Sequence, residues 1–224
     1  MSSCKVKAEE LITIDPITKA QEQTFEAWDD GENLILTGTA GTGKTFLAMY
    51  LALESILERS GPYDKIIILR SAVAVREIGY LPGKLEEKVD VFQAPYRAIS
   101  EELFGDKAAY NKLTSCHQIQ FETTSFIRGK TFDRAIIIVD EMQNLNFHEL
   151  DSIMTRAGEN CRMIFSGDHA QSDFHNENER NGLGKFLSIM YRMKHFTTVK
   201  FGWDDIVRSD IVRDYIMTKE MMGY

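Results

Sequence analysis

The chain has 224 residues, of which 43% are hydrophobic and 27% are charged, and its formal net charge is −8. This composition is typical of a globular protein with its own core, and the lack of any long apolar run argues against a membrane-spanning chain. The acidic balance argues against a uniformly basic, nucleic-acid-coating protein, although a local basic groove is compatible with it.

The predicted elements alternate between helices and short apolar strands. In chain order they are a helix over 18–29, a strand over 33–37, a helix over 45–59, a strand over 65–70, a turn at 79–83, a helix over 85–104 with a break near Pro95, strands over 119–123 and 135–139, a helix over 147–156, a strand over 162–166, a surface loop over 173–181, a helix over 183–193, a strand over 197–201 and a helix over 206–219. Apolar strands separated by helices predict an α/β fold of three layers, with a mostly parallel central sheet covered on both faces.

A glycine-rich segment between the first strand and the second helix carries the strongest chemical signal. It matches the phosphate-loop pattern GxxxxGK[ST] and consists of Gly38, Thr39, Ala40, Gly41, Thr42, Gly43, Lys44 and Thr45. Glycines let successive backbone N–H groups point at phosphate oxygens, and the following helix adds the positive end of its dipole. We expect Lys44 to reach the β- and γ-phosphates of ATP and Thr45 to ligate Mg²⁺. A glycine turn without a ligand is the alternative.

Two acids follow the most apolar strand of the sequence. Four apolar residues place Asp140 at the carboxyl end of that strand, where ligands bind in open α/β sheets. Asp140 is therefore predicted to hold Mg²⁺ through a water molecule, and Glu141 to orient or deprotonate the attacking water. The alternative is a helix N-cap with two solvated acids.

A third segment, over 164–171, ends a strand in Gly167 and Asp168 and continues to Gln171. A glutamine amide both donates and accepts hydrogen bonds, so Gln171 can sense a γ-phosphate and its water. A polar turn is the alternative for this segment.

Together these motifs resemble the PhoH family. Besides the phosphate loop, the resemblance rests on Arg70 with the segment 79–89, on 128–132, on 140–144, and on Gly167 and Asp168 with Gln171, in the family's order and over nearly the whole chain. The Leu-Pro-Gly at 81–83 and the Arg-Gly-Lys-Thr-Phe at 128–132 are the specific segments. The chain departs from the family after Arg70, where Ser-Ala-Val stands in place of the usual proline.

The resemblance implies a RecA-like ATPase core related to superfamily 1 helicases, with residues 1–224 as one domain entered through a helix at about 16–30. It implies ATP binding and hydrolysis, with RNA or single-stranded DNA as a partner. By the resemblance, Gln21 reads adenine, and Gln143 and Gln171 couple the phosphate state to the rest of the protein. The short form is similar to the versions carried by bacteriophages.

One such domain lacks the arginine that a second domain supplies to the γ-phosphate in superfamily 1 helicases. We therefore expect a homo-oligomer, such as a ring with ATP at subunit interfaces, in which Arg156 or Arg208 acts as a finger in a neighbouring subunit. A surface salt bridge is the alternative for each arginine.

Three cysteines lie far apart without zinc spacing, namely Cys4, Cys116 and Cys161. They are predicted to be reduced thiols, and the first ten residues lack the apolar stretch of a signal peptide. These features predict a cytoplasmic protein with no membrane partner, and the family resemblance implies a bacterial or phage-infected host cytoplasm.

Several cations and aromatic residues are candidates for a nucleic-acid groove, namely Lys84, Lys88, Arg128, Lys130, Arg134, Phe92, Tyr96 and Phe126. Solvated cations and core aromatics are the alternative. Two rivals to a nucleic-acid-coupled ATPase stay open: a nucleotide-gated assembly protein with incidental turnover, and a small-molecule kinase, which the acids at 140–141 and the 167–171 segment disfavour.

Overall fold

A computed structural model describes residues 6–58, 60–71, 85–168 and 177–223, with the backbone alone for 85–89 and 177–181. Its centre is one six-stranded sheet in the order β3-β2-β4-β5-β1-β6. The strands are β1 (Asn33–Gly38), β2 (Lys65–Arg70), β3 (Ile119–Thr123), β4 (Ala135–Val139), β5 (Cys161–Gly167) and β6 (Phe196–Phe201). Every pairing within the sheet is parallel. The predicted α/β class and parallel sheet are confirmed.

Side chains alternate between the two faces of the sheet, because successive residues of a strand point in opposite directions. Ile66, Ile68, Ile136 and Ile138 join the core on one face, and Ile67 and Ile137 join the core on the other. Both faces are covered by helices, so the four inner strands are largely buried and read as apolar runs, whereas the edge strands β3 and β6 are only partly buried.

The helices are α1 (Lys19–Asp29), α2 (Lys44–Leu57), α3 (Leu85–Phe104), α4 (Ala109–Ser115), α5 (Phe147–Met154), α6 (Glu177–Met190) and α7 (Asp210–Met221). The first core takes side chains from α1 to α4, and the second takes them from α5 and α6. None of the described residues of α7 is buried.

Four details of the predicted elements are wrong. α3 continues through Pro95 without the predicted break, because Tyr96, Ser100 and Leu103 are buried along one side and hold the helix in place. α4 was not predicted at all. α6 begins at Glu177, within the predicted surface loop, and α7 begins at Asp210, later than the predicted 206.

Two findings concern the predictions about the cysteines and about membrane-spanning segments. Cys161 is a free thiol, whereas Cys116 is disulfide-bonded, so the prediction of reduced thiols is wrong at Cys116. Within the described residues, no helix has the length and apolar character that crossing a membrane requires.

Candidate functional site

The glycine-rich loop joins the carboxyl end of β1 to the start of α2. Gly38 has a φ of 125°, and a Cβ there would lie within 3.0 Å of backbone atoms of Phe201 on the neighbouring strand β6. Gly41 and Gly43 also have positive φ values, of 74° and 82°, and Gly43 is the N-cap of α2. These conformations favour glycine, and they wrap the loop around the start of the helix.

The Lys44 side chain lies in the curve of this loop. Its Nζ donates to the carbonyl oxygens of Gly38 at 2.9 Å and Thr39 at 2.7 Å. The Thr42 hydroxyl, also buried, donates to the same Thr39 carbonyl at 2.9 Å. Burial lowers the pKa of Lys44, and nearby acids, first Asp168, oppose that effect. The loop therefore holds a buried cation among oxygen atoms, as phosphate recognition requires.

The Asp140 carboxylate meets the first turn of α2. Asp140 follows β4, and the Thr45 hydroxyl donates to its Oδ1 at 2.8 Å. β5 separates β4 from β1 in the sheet, but α2 packs over β4 and β5 and so carries Thr45 to Asp140. The other carboxylate oxygen, Oδ2, accepts from the hydroxyl of Tyr96 at 2.7 Å. Asp140 is 3% exposed. The two segments predicted to form one site thus face the same cleft.

Burial and nearby charges both shift the pKa of Glu141, the acid that follows Asp140. Its backbone adopts the left-handed conformation, with a φ of 53°, a strained state for a non-glycine residue that is often found at functional sites. The Gln143 amide donates to its carboxylate, and the Arg70 guanidinium lies 3.7 Å from its Oε1. Desolvation raises the pKa of Glu141, and the Asp140 charge adds to this, while Gln143 and Arg70 act in the opposite direction. A carboxyl with a raised pKa is better suited to accept a proton.

Gln143 connects Glu141 to the end of β5. Its Oε1 accepts from the backbone N–H of Asp168 at 3.0 Å, and the side chain is 5% exposed. A Cβ at Gly167 would collide with Gln143 Oε1 and lie 2.8 Å from a side-chain atom of Met142. Gly167 therefore leaves the space in which the Gln143 side chain contacts both Glu141 and the backbone N–H of Asp168. Gln171, predicted to act beside them, lies outside the described residues.

Gln21 is buried at the start of α1, where its Oε1 accepts from the backbone N–H of Ile17 at 2.8 Å. The carboxylate of Asp205 accepts from the backbone N–H groups of Ala20, at 3.3 Å, and of Gly202, at 2.8 Å. Because Gly202 follows β6, this link places Gln21 at the same edge of the sheet as the phosphate loop. No sequence pattern pointed to Asp205, since its role depends on contacts between distant segments.

The two candidate arginine fingers lie in different places. Arg208 is next to the phosphate loop of its own chain, since a Cβ at Gly41 would lie 3.2 Å from Arg208 Cγ, and the Val207 N–H donates to the Gly41 carbonyl at 3.2 Å. Arg156 donates to the carbonyls of Ser152 and Lys130, both at 3.3 Å, at the opposite edge of the sheet. The structure brings Arg208 to the site of its own chain but not Arg156.

The last helix, α7, also reaches the loop, which the sequence did not predict. Glu220 accepts from the Thr39 hydroxyl at 3.5 Å and from the Trp203 indole N–H at 2.5 Å. Its negative charge acts to raise the pKa of Lys44. Ile216 lies over Gly41, 3.2 Å from where a Cβ would stand. α7 therefore covers part of the phosphate loop.

The donor atoms suit Mg²⁺ that arrives with a nucleotide. The Thr45 hydroxyl and the Asp140 carboxylate provide only oxygen donors, and no group of three or more metal-ligating side chains occurs in the described part of the chain. Mg²⁺ keeps several waters and takes the rest of its ligands from one or two carboxylates and from phosphates. The residues present therefore fit an Mg²⁺ ion whose ligands come from both the protein and the nucleotide.

The predicted nucleic-acid groove is only partly compatible with the structure. Tyr96 is fully buried and cannot stack on a base, so that prediction is wrong; its neighbours at helical spacing, Ser100 and Leu103, are buried too. Phe126 is 54% exposed. Lys130 and Arg134 are engaged in ion pairs, with Glu122 and Asp64 respectively. The two predicted lysines near the start of α3 cannot be assessed, because Lys84 and the side chain of Lys88 lie outside the described residues.

Comparison with solved structures gives remote likenesses. The DUF1998 helicase MrfA bound to DNA is 14% identical with a TM-score of 0.46, covering 86% of this chain and 26% of that one. Bacteroides Pif1 bound to single-stranded DNA is 15% identical with a TM-score of 0.39, covering 84% of this chain and 42% of that one. At TM-scores this low, the likenesses say nothing about function.

Comparison at the level of sequence is more informative. A PhoH-like protein of Synechocystis is 33% identical over 91% of this chain and 61% of its own length. Protein PhoH of Escherichia coli is 30% identical over 85% of this chain and 54% of its own length. The chain thus spans little more than half the length of these curated relatives. A family model for PhoH-like protein matches residues 13–220. Because that match covers nearly the whole sequence and includes the loop and both acids, the chain belongs to the PhoH family.

Proposed function

We propose that residues 1–224 act as one ATPase domain, which binds ATP with Mg²⁺, hydrolyses it, and couples hydrolysis to RNA or single-stranded DNA. The main support is the 2.8 Å hydrogen bond from Thr45 to Asp140. It joins the phosphate loop to the acid pair in a single cleft. Lys44 supplies a buried positive charge in the same cleft. Family membership and this geometry agree on a P-loop nucleotide site.

Each residue has a defined part in the proposed reaction. The loop amides and Lys44 hold the β- and γ-phosphates, and Thr45 with Asp140 would hold Mg²⁺, which supplies charge neutralisation when bound. The oxygen of the attacking water bonds to the γ-phosphorus while Glu141 accepts a proton from that water. At the same time the bond between the γ-phosphorus and the oxygen that bridges it to the β-phosphate breaks. ADP and inorganic phosphate are the products.

Gln143 is suited to report the state of this reaction. Its amide donates to Glu141 and accepts from the Asp168 N–H. A change at the γ-phosphate that moves Glu141 would therefore be transmitted to the end of β5. We place Gln171, a short distance further along the chain, in the same signalling role, and Gln21 at the adenine.

The second candidate is a nucleotide-gated assembly protein, and the surface of α7 favours it. Ile211, Tyr215 and Met221 on this helix are 84%, 68% and 68% exposed. The half-buried Ile216 contacts the loop from the same helix. Apolar side chains in such a row are uncommon on a monomer surface. A helix that touches both the loop and solvent could link nucleotide binding to homo-oligomer formation.

Phosphate release, measured with and without single-stranded RNA or DNA, separates the two candidates. Several-fold stimulation supports the coupled ATPase. An unstimulated rate, together with an ATP-dependent change of mass in light scattering, supports the assembly protein. Glu141→Gln should retain ATP and lose turnover in both cases, and turnover that survives this change would remove Glu141 from its proposed role.

A mixing experiment tests the arginine finger. If Arg208 acts across an interface, mixing Lys44→Ala subunits with Arg208→Ala subunits should restore some turnover. The contact of Arg208 with Gly41 of its own chain favours action within one subunit, for which the mixture stays inactive. The same mixture made with Arg156→Ala tests the other candidate.

A further inference from the structure

One face of α3 lies against both acids of the candidate site. Phe92 and Tyr96 are four residues apart, so they project from the same side of this helix. Tyr96 has no exposed surface, and its ring lies 5.9 Å from that of Phe121. Phe92 is half-buried, with its ring 5.8 Å from the Arg70 guanidinium. Both aromatic residues therefore face the site, and Tyr96 does so from inside the protein, where it presents no surface to a base.

Tyr96 and Thr45 hold the Asp140 carboxylate between them. The Tyr96 hydroxyl donates to Oδ2 at 2.7 Å, and the Thr45 hydroxyl donates to Oδ1 at 2.8 Å. The torsion that rotates a carboxylate has broad preferences, so a single hydrogen bond leaves its plane poorly defined. Two donors, one on each oxygen, fix that plane and keep Oδ1 directed towards α2.

Phe92 acts on the second acid through Arg70. The ring faces the Arg70 guanidinium, which lies 3.7 Å from Glu141 Oε1. An arginine over an aromatic face is restrained by the attraction between the cation and the ring. The same face of α3 thus reaches Asp140 directly and Glu141 through one intermediate residue.

We propose that Tyr96 is a positioning residue of the metal site, whose hydroxyl holds Asp140 in the orientation in which Thr45 and Asp140 together receive Mg²⁺. This inference rests on the proposed function, because it assigns a role towards the ion that accompanies the nucleotide. Partners that orient a ligand in this way usually contribute 10- to 100-fold to metal affinity. A purely structural core tyrosine would contribute to stability alone.

Tyr96→Phe tests the proposal, since it removes the hydroxyl and leaves the ring packed against Phe121. The probe is Mn²⁺, whose binding in the presence of ADP is followed by electron paramagnetic resonance, so the readout does not require turnover. We expect the Mn²⁺ dissociation constant to rise by roughly tenfold or more. The affinity for ADP without metal should be unchanged, and this second measurement shows that the variant is folded.

Tyr110→Phe is the matched control. Tyr110 is also buried, and its hydroxyl donates to Gln93 Oε1 at 2.9 Å, with no contact to either acid. Its loss should leave Mn²⁺ binding unchanged. In the double variant with Asp140→Asn, Tyr96→Phe should cause little further loss of Mn²⁺ affinity, because the tyrosine acts through that carboxylate.

The outcomes separate this inference from the function on which it rests. If the wild-type protein binds Mn²⁺ with ADP and Tyr96→Phe binds it equally well, the positioning role is wrong and the nucleotide site stands. The same holds if Tyr110→Phe weakens Mn²⁺ binding as much as Tyr96→Phe does. If the wild-type protein shows no ADP-dependent Mn²⁺ binding, both the metal site and the role of Tyr96 are overturned.

Discussion

Replacing Gly38 by alanine should damage both the sheet and the phosphate loop. The residue has a φ of 125°, and its added Cβ would lie within 3.0 Å of backbone atoms of Phe201. The backbone strain should cost about 1–3 kcal/mol. Forcing β1 and β6 apart should add about 1–3 kcal/mol, as overpacking does elsewhere. We therefore expect the free energy of unfolding to fall by roughly 2–6 kcal/mol.

Gly31→Ala provides the matched control for this estimate. Gly31 also has a positive φ, of 86°, but a Cβ there would meet nothing within 4 Å. It should therefore lose only the strain of the left-handed conformation, about 1–2 kcal/mol, reduced by the lower entropy of the unfolded alanine chain. The difference between the two variants isolates the contact with β6.

Urea unfolding of both variants measures the loss of stability, and ATP titration without urea measures the damage to the phosphate loop. Gly38→Ala should also weaken ATP binding, because the Gly38 carbonyl accepts from Lys44 at 2.9 Å and would be displaced. Gly31→Ala should bind ATP as the wild-type protein does. Equal losses of stability in the two variants would refute the close approach of β1 and β6 at the loop.

Four variants of charged residues give the remaining predictions. Desolvation, together with the neighbouring Asp140 charge, raises the pKa of Glu141, so above pH 4.5 the folded protein binds more protons at this group than the unfolded chain does. The contribution of Glu141 to the free energy of unfolding therefore falls as pH rises. Glu141→Gln should be more stable than the wild-type protein in urea at neutral pH, with a gain that shrinks as pH falls toward 4.5. Glu220→Gln should tighten ATP binding roughly two- to fivefold in a titration, because it removes a carboxylate beside the phosphate loop; weaker binding would contradict this. Arg208→Ala should lower ATP affinity or turnover, whereas Arg156→Ala should change only stability, by about 1 kcal/mol; equal turnover losses would show that position relative to the loop does not decide their roles.

Sequence patterns predict the local structure correctly where the residues that determine it are contiguous in the chain. The loop over 38–45 folds as predicted because its glycines and the following helix are contiguous in sequence. The strand over 135–139 is also found where four successive apolar residues predicted it, and it delivers Asp140 to the carboxyl edge of the sheet. In a parallel sheet all such edges coincide, so the meeting of this acid with the loop could be anticipated without knowing the strand order.

Predictions failed where the outcome depends on distant partners. The predicted break of α3 near Pro95 is absent, since side chains on both sides of that position along the helix pack against the rest of the chain. Tyr96 was a candidate for stacking on bases, yet it lies inside the protein with its hydroxyl on Asp140. An aromatic residue on an amphipathic helix can serve either purpose, and the choice depends on which face of α3 the rest of the chain covers.

The sequence by itself determined the local structure of the candidate site, because a phosphate loop and a strand-end acid pair are contiguous motifs whose local conformations follow from their residues. Only the tertiary structure decided which side chains surround them. Tyr96, Asp205 and Glu220 come from segments far along the chain and reach the site through the packing of α3 and α7 and the turn after β6. Such contacts depend on how helices cover the sheet, and no short-range pattern encodes that arrangement.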